Sequence, residues 1–224
     1  PSIITQNITV QLNASGVATI DTTDVNNGTT DNCAIASMSL DISSFTCSDV
    51  DSTHQVVLTV TDVSGNTDTA HAYVTVTDII APSVVTQNIT VYLDLSGNVT
   101  ITALMIDNGT ADNCTVDSIY LDVTDFDCSD VGSNTVTLSA DDQSGNTGTN
   151  TATVTVLDTV SPEAHSYSAI DIYLSPTGLY SLATSEVDSS STDACGIATY
   201  VLDQTAFACT DVGTPVSVTM TVTD

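Results

Sequence analysis

The chain has 224 residues, no lysine, no arginine and a formal net charge of −28. Without cationic side chains it cannot clamp phosphate groups, which argues against nucleic-acid binding, and an anionic membrane surface would repel it. No apolar run approaches the roughly 18 residues of a membrane span, so membrane insertion is not expected. Hydrophobic residues make up 41% of the chain, enough to bury a core despite the charge.

The first predicted elements are short strands. Ile8, Val10 and Leu12 alternate with Thr9 and Gln11, the two-residue period of a half-buried strand. Similar runs predict strands over 18–20, 35–40, 55–60 and 70–76, rich in the β-branched residues that pleated sheets favour. No stretch shows the 3.6-residue apolar period of a capped helix.

A recurring turn motif joins the last two predicted strands. Asp62-Val63-Ser64-Gly65-Asn66 returns as 142–146, and Gly or Asn can adopt the positive φ that such turns need. We interpret the motif as a hairpin loop with a structural role.

The cysteines reveal an internal repeat. Three pairs with C-x13-C spacing recur 81 residues apart, and they are formed by Cys33 and Cys47, by Cys114 and Cys128, and by Cys195 and Cys209. The predicted modules are 1–80, 81–160 and 161–224, called repeats one, two and three below. Repeat three stops at Asp224, which aligns with Asp62, so it lacks the last strand; a longer tandem array is the simplest explanation.

The repeat length and strand content predict the fold class. About 80 residues with six or seven short strands are typical of an immunoglobulin-like β-sandwich. We therefore expect an all-β protein of tandem immunoglobulin-like modules that form a rod.

The repeat also suggests a disulfide pattern. Six cysteines allow 15 pairings in principle, but self-contained modules would close each pair internally. We expect Cys33–Cys47, Cys114–Cys128 and Cys195–Cys209, and hence an extracellular or cell-surface location.

Twenty-eight carboxylates without a cationic side chain point to metal ions. Aspartates with asparagine and backbone carbonyls are the oxygen ligands of Ca²⁺. In the loop before each first cysteine, two acids could face one ion, and the candidates are Asp24 with Asp31, Asp107 with Asp112, and Asp188 with Asp193. The alternative is polar turn residues beside a cysteine; the recurrence of the acids favours calcium.

The repeat junctions are a second candidate calcium site. Asp78 and Asp158 end the last strands of repeats one and two, shortly before Pro82 and Pro162. A carboxylate here could share Ca²⁺ across the joint and stiffen the array. An ordinary strand-terminal aspartate explains the pattern equally well.

No catalytic constellation emerges from the sequence. The three histidines occupy no equivalent repeat positions, and hydrolase, metalloprotease and phosphate-loop motifs are lacking. We therefore expect a protein that is not an enzyme. A carbohydrate-binding module is the main competitor, with Tyr92, Tyr120, Tyr173 and Tyr200 as scattered candidate contacts.

The motifs resemble a known family. The Asp-x-Ser-Gly-Asn turn, the Thr/Val strand after it, the Ala81-Pro82 junction and the string from Asp107 to Cys114 are similar to hyalin-like (HYR-like), immunoglobulin-like repeats. Such repeats occur in large surface proteins of the Bacteroidetes, including gliding adhesins exported by type IX secretion. The resemblance implies an extracellular array that spaces or displays something, and it implies no chemistry.

The sequence thus predicts a structural stalk or filament segment of an extracellular repeat adhesin, stiffened by Ca²⁺ and involved in cell adhesion. The expected partners are neighbouring modules of the same chain, other filaments and surface glycans, with neither nucleic acid nor inserted membrane among them. The alternatives are a carbohydrate-binding array and a pilin-like subunit that polymerises by strand donation.

Overall fold

The computed structural model describes all 224 residues of the chain. These residues divide into two compact units. The first comprises 1–87, 102–122 and 136–152, and the second comprises 88–101, 123–135 and 153–224. Repeat two contributes to both units, and the repeats are used below as divisions of the sequence.

Repeat one is a two-sheet β structure. Its elements are β1 (Ile8–Gln11), β2 (Val17–Thr19), α1 (Thr22–Val25), β3 (Ile35–Leu40), β4 (Ser44–Thr46), β5 (Thr53–Asp62) and β6 (Thr67–Thr77). One sheet has the strand order β1-β6-β5-β3, and the other pairs β2 with β4. The β1–β6 pair is parallel, whereas β5 is antiparallel to both β6 and β3.

The core of repeat one follows from the two-residue period of its strands. The inward residues of β6 (Ala72, Val74 and Val76) have no exposed surface, while Tyr73 and Thr75 between them face outward. Phe45 of β4 packs into the same cluster from the second sheet. The all-β, immunoglobulin-like sandwich predicted from the sequence is therefore confirmed.

Repeat two has the same element order. Its elements are β7 (Ile89–Tyr92), β8 (Asn98–Thr100), α2 (Ala103–Ile106), β9 (Val116–Leu121), β10 (Asp125–Asp127), β11 (Gly132–Asp142) and β12 (Thr147–Leu157). The strand orders are β7-β12-β11-β9 and β10-β8. The parallel β7–β12 pair corresponds to β1–β6.

Repeat three has fewer strands. Its elements are β13 (Leu179–Ser181), α3 (Thr184–Val187), β14 (Thr199–Leu202), β15 (Ala206–Ala208) and β16 (Met220–Thr223). β13 pairs with β15, and β14 pairs with β16. Residues 170–173, which align with β1, belong to no strand.

The predicted hairpin loop is confirmed. The Asp62 carboxylate accepts the backbone N–H groups of Ser64 and Asn66 at 2.8 and 2.9 Å, and Gly65 between them has a φ of +83°. These bonds close the turn between β5 and β6 from the aspartate side chain.

Sequence patterns missed the short helices. Each has four residues, too few to show a 3.6-residue period. None of the helices is long and apolar enough to cross a membrane. A capping box begins α1: the Thr23 N–H donates to the Asp21 carboxylate, and the Asp21 N–H donates to Asp24.

Candidate metal centres at the repeat junctions

The disulfides join successive repeats. Cys47 is bonded to Cys114, with Cα atoms 5.4 Å apart, and Cys128 is bonded to Cys195, with Cα atoms 5.1 Å apart. The first bond lies within the first compact unit and the second within the second unit. The expected pairs within repeats, Cys33–Cys47, Cys114–Cys128 and Cys195–Cys209, were therefore wrong. Cys33 and Cys209 are free and exposed.

Strand direction explains this correction. Ile35, two residues after Cys33, pairs with the end of β5 that borders the β5–β6 turn. Thr46, just before Cys47, pairs with the start of β2, after the turn that follows β1. Because β1 runs parallel to β6, these two turns lie at opposite ends of the sandwich. The two cysteines of one repeat are thus separated by its length, whereas a disulfide needs Cα atoms within about 7 Å.

The first junction gathers acidic groups beside its disulfide. The ligand atoms of Asp78, Asp112 and Cys114 all lie within 4.8 Å of one another. Asp78 is buried at the end of β6, and the Asn113 side-chain amide donates to both of its carboxylate oxygens at 3.2 Å. The Cys114 N–H donates to Asp112 Oδ2 at 2.8 Å. The predicted junction acid and the second predicted loop acid therefore meet at one site.

Two oxygens of this site lack a hydrogen-bond donor. Asp112 Oδ1 and Asn113 Oδ1 are buried without a partner. A buried oxygen without a donor is costly, and more so when it carries charge. The chain has no lysine or arginine to pair with these oxygens, and a bound cation could satisfy them.

The second junction repeats the arrangement with one difference. The ligand atoms of Asp158, Asp193 and Cys195 lie within 4.8 Å of one another. The Cys195 N–H donates to Asp193 Oδ1 at 2.8 Å, which leaves Asp193 Oδ2 buried without a partner. Ala194 stands where repeat two has Asn113, so this junction lacks the side-chain amide that donates to the strand-terminal aspartate in repeat one.

The first acid of each predicted loop pair has another role. The Thr110 N–H donates to Asp107 Oδ1 at 3.0 Å, and the Ser191 N–H donates to Asp188 Oδ1 at 2.9 Å. Hydrogen bonds from the Thr110 side chain and from the Ser191 side chain lower the pKa of Asp107 and of Asp188, respectively. Asn26 accepts the Thr29 N–H at 3.0 Å in the same way without a charge. The loop geometry thus requires an acceptor here, not an acid.

The two candidate acids of repeat one, Asp24 and Asp31, have different roles. Asp24 accepts the Asp21 N–H at 2.8 Å as part of the α1 cap. Asp31 aligns with Asp112 and Asp193, and its Oδ2 lies 3.1 Å from the α-ammonium group of Pro1, with both side chains buried. The hydrogen bond from the Cys33 N–H, followed by that ammonium group, lowers the pKa of Asp31. Asp24 and Asp31 thus have separate hydrogen-bond partners.

The donor set at the junctions fits a hard cation. Ca²⁺ takes oxygen ligands at about 2.4 Å, so two of its ligands lie at most about 4.8 Å apart, and the two aspartates of each cluster have oxygens within 4.8 Å of each other. The sulfur atoms of Cys114 and Cys195 are bonded in disulfides and cannot act as thiolate ligands. The oxygens of Asp78 and Asp112 would hold the ion at the first junction.

The first cluster borders an open crevice. This crevice has a volume of about 380 Å³, and the Cys47–Cys114 disulfide, Asp51, Asp78 and Asp142 line it. Water molecules could therefore complete the coordination shell of an ion that the protein holds through few oxygens.

The sequence identified the acids one by one and missed Asn113. The string Asp-Asn-Cys at 31–33 and 112–114 was the available signal, because it marks the amide that lies between the acid and the disulfide. The candidate sugar-binding tyrosines lie on different elements: Tyr92 on β7, Tyr120 on β9 and Tyr200 on β14, with Tyr173 outside any strand.

Comparisons with known proteins give structural likeness without a family. No family model and no curated protein matches the chain. Extracellular cadherin domains 1–4 of protocadherin gamma B7 share 14% identity over 91% of this chain and 62% of that chain, with a TM-score of 0.33. Drosophila N-cadherin EC1-4 shares 11% identity over 70% of this chain and 48% of that chain, with a TM-score of 0.35.

The titin I-band fragment I67–I69 shares 11% identity over 73% of this chain and 68% of that chain, with a TM-score of 0.30. The chain thus spans less than two thirds of the length of the two cadherin structures. At this level of identity and superposition, the likeness assigns neither a family nor a function.

Proposed function

We propose that this chain is a structural stalk segment of an extracellular adhesion protein, built from sandwich repeats that are fixed to one another at each junction. The observation that carries the proposal is the shared design of the two junctions. Each combines a disulfide between successive repeats with a strand-terminal aspartate and a loop aspartate. Such a design resists separation of neighbouring repeats, which is what a spacer must do under load.

The disulfides support a location outside the cytoplasm. Disulfide bonds persist in oxidising compartments and are rare where thiols are kept reduced. A chain with no lysine and no arginine also offers no site to trypsin-like proteases. Both properties suit a protein exposed at a cell surface.

We propose that a calcium ion links the repeats at each junction in addition to the disulfide. The net charge of −28 opposes compaction through self-repulsion, and the acids at each junction come from successive repeats. An ion shared by Asp78 and Asp112 would remove local repulsion and satisfy the buried oxygen of Asp112. Stiffening of the stalk by Ca²⁺ follows from this bridging position.

Calcium titration with paired variants tests the proposal. Because the ion binds only the folded state, saturating Ca²⁺ should raise the melting temperature. The Asp112→Asn variant should bind more weakly by about tenfold or more, since it loses a charged ligand. The Asp107→Asn variant is the matched control, because Asn26 already fills that turn position in repeat one. Calorimetric titration and thermal unfolding measure both effects.

Sodium at matched ionic strength separates binding from screening. Equal melting with Ca²⁺, chelator and sodium would remove calcium from the proposal, while X-ray scattering would still report whether the repeats form an extended particle. Saturable binding of a glycan by the isolated chain would instead favour the carbohydrate-binding alternative.

A further inference from the structure

One side chain of repeat two connects three segments at the first junction. The Asn113 side-chain nitrogen lies 3.2 Å from each carboxylate oxygen of Asp78, at the end of β6, and 3.4 Å from the carbonyl oxygen of Asn13, in the turn between β1 and β2. Because this amide carries two N–H groups, it can donate to the carboxylate and to the carbonyl at the same time. Asn113 therefore ties its own loop to two separate segments of repeat one.

The charge of Asp78 sets the direction of this amide. Asn113 Oδ1 is buried without a donor, which is costly for a carbonyl oxygen. The opposite direction would cost more, since it would place that oxygen against the carboxylate and remove the N–H donors from it. The amide thus keeps its N–H groups on Asp78. The Ile80 N–H donates to Asp78 Oδ1 at 3.1 Å and supports the same carboxylate from the backbone.

A carboxylate supported in this way is oriented for a cation. Asp78 is only 6% exposed, and one of its oxygens lies within 4.8 Å of an Asp112 oxygen. The two negative charges repel each other, so without support the Asp78 side chain would turn away from Asp112. Hydrogen bonds to a metal-binding carboxylate hold it in place for the ion, and their loss typically costs about 10- to 100-fold in metal affinity.

The second junction has the same pair of acids without the amide. Ala194 stands at the position of Asn113, and its methyl group has no N–H to donate. Asp158 keeps the backbone support, because the Val160 N–H donates to Asp158 Oδ1 at 3.0 Å. The two junctions thus differ in the support of the strand-terminal aspartate and not in the number of aspartates.

We propose that Asn113 is a positioning residue of the first calcium site, and that the alanine at position 194 makes the second site weaker, so that the two junctions take up Ca²⁺ at different concentrations. This inference rests on the calcium bridge proposed above and adds its regulation. As the Ca²⁺ concentration rises, the first junction is fixed before the second. The stalk therefore stiffens in two steps.

Calorimetric titration of one junction at a time tests the proposal on the whole chain. Asp193→Asn removes a charged ligand from the second junction and leaves the first as the stronger site, and Asp112→Asn isolates the second junction in the same way. In the Asp193→Asn background, Asn113→Ala should weaken Ca²⁺ binding about tenfold or more. In the Asp112→Asn background, Ala194→Asn should strengthen Ca²⁺ binding about tenfold.

The gain at the second junction is the decisive result, because a substitution that only disturbs folding does not tighten an ion site. Ala194 is exposed, so a longer side chain has room there. Asp94 aligns with Asn13 and offers its backbone carbonyl as the second acceptor of the new amide. Asn32→Ala is the matched control, because Asn32 occupies the aligned position in repeat one and is exposed. This control should leave both affinities unchanged.

Hydrogen exchange of the metal-free protein reports the positioning without any ion. Asn113→Ala should speed exchange of the Ile80 amide about threefold or more, because Asp78, the acceptor of that amide, loses the Asn113 bond. The Ser64 amide, which donates to Asp62 in the β5–β6 turn, is the internal reference and should exchange at an unchanged rate.

The possible results separate this inference from the calcium bridge itself. Calcium binding that neither Asn113→Ala nor Ala194→Asn changes would overturn the positioning role and leave the bridge in place. A loss with Asn113→Ala without a gain with Ala194→Asn would also reject it, because Asn113 would then support only its own loop. No calcium binding to the unmodified chain would overturn both proposals, while the disulfides would still link the repeats.

Discussion

Individual aspartates in this protein serve two different purposes. Many accept backbone N–H groups in turns and caps, as Asp62, Asp107 and Asp21 do. Asp112 and Asp193 each satisfy one oxygen in this way and keep the other buried without a donor. The acids alone therefore do not distinguish a candidate metal site; the unpartnered oxygens do.

The turn aspartates make stability depend on pH. Hydrogen bonds from the Asn66 side chain, then from its backbone N–H, hold the pKa of Asp62 below the usual value of 3.8. A carboxyl with a lowered folded pKa contributes stability that is fully present above about pH 3.8 and disappears as the pH falls through the folded pKa. We therefore predict that the melting temperature drops more steeply on acidification below that pH in the wild type than in Asp62→Asn.

Thermal unfolding of both proteins near neutral pH and below the folded pKa checks this prediction. Asp62→Asn should be the less stable protein near neutral pH, and the difference should shrink in acid. The relief of general charge repulsion affects both proteins alike, so the difference between them isolates the turn. A constant difference across the pH range would contradict the prediction.

At the scale of the secondary-structure elements, the turn between β1 and β2 packs closely against the backbone of Asn113 and the sulfur of Cys47. A Cβ atom added to Gly16 would lie 2.6 Å from the Asn113 carbonyl oxygen and 2.7 Å from Cys47 Sγ. Gly65, in the β5–β6 turn, also has a positive φ but has no atom within 4 Å of such a Cβ. A comparison of substitutions at the two glycines therefore separates the energetic cost of backbone strain from the cost of steric overlap.

We predict that Gly16→Ala destabilises the protein more than Gly65→Ala. Both substitutions place a side chain at positive φ, which costs roughly 1–2 kcal/mol. Gly16→Ala must also displace a backbone carbonyl and a disulfide sulfur, which adds about 1–3 kcal/mol. Denaturant unfolding of the two variants measures the difference, and equal losses would show that the junction yields easily.

The alternation of apolar residues was enough to predict the fold class and most strands of repeat one. It could not show β4, which has three residues, or that β1 pairs in parallel with β6. The cysteine spacing likewise carries no information about strand direction. A spacing of C-x13-C gives the length of chain between two cysteines and not the direction of the strands between them, so the predicted pairs lay within repeats.

At the scale of the whole molecule, one disulfide links repeat one to repeat two, and the other links repeat two to repeat three. Each bond joins residues 67 positions apart and closes a loop across a junction. The chain-entropy model assigns about 4 kcal/mol to a loop of this length. The exposed Cys33 and Cys209 occupy the corresponding positions in repeats one and three and form no disulfide.

The disulfide pairing can be established by digesting the unreduced protein with a protease that cleaves on the N-terminal side of aspartate. Alkylation before reduction should label Cys33 and Cys209 alone, because the other four cysteines are bonded. Mass spectrometry should then find peptide 41–48 linked to 112–116 and peptide 127–129 linked to 193–202, with 31–40 and 203–210 as single alkylated peptides. Reduction should release the four linked peptides and serves as the control. A linked pair of 31–40 with 41–48 would return the cysteines to pairing within repeats, and it would remove the covalent part of the junctions on which the stalk proposal depends.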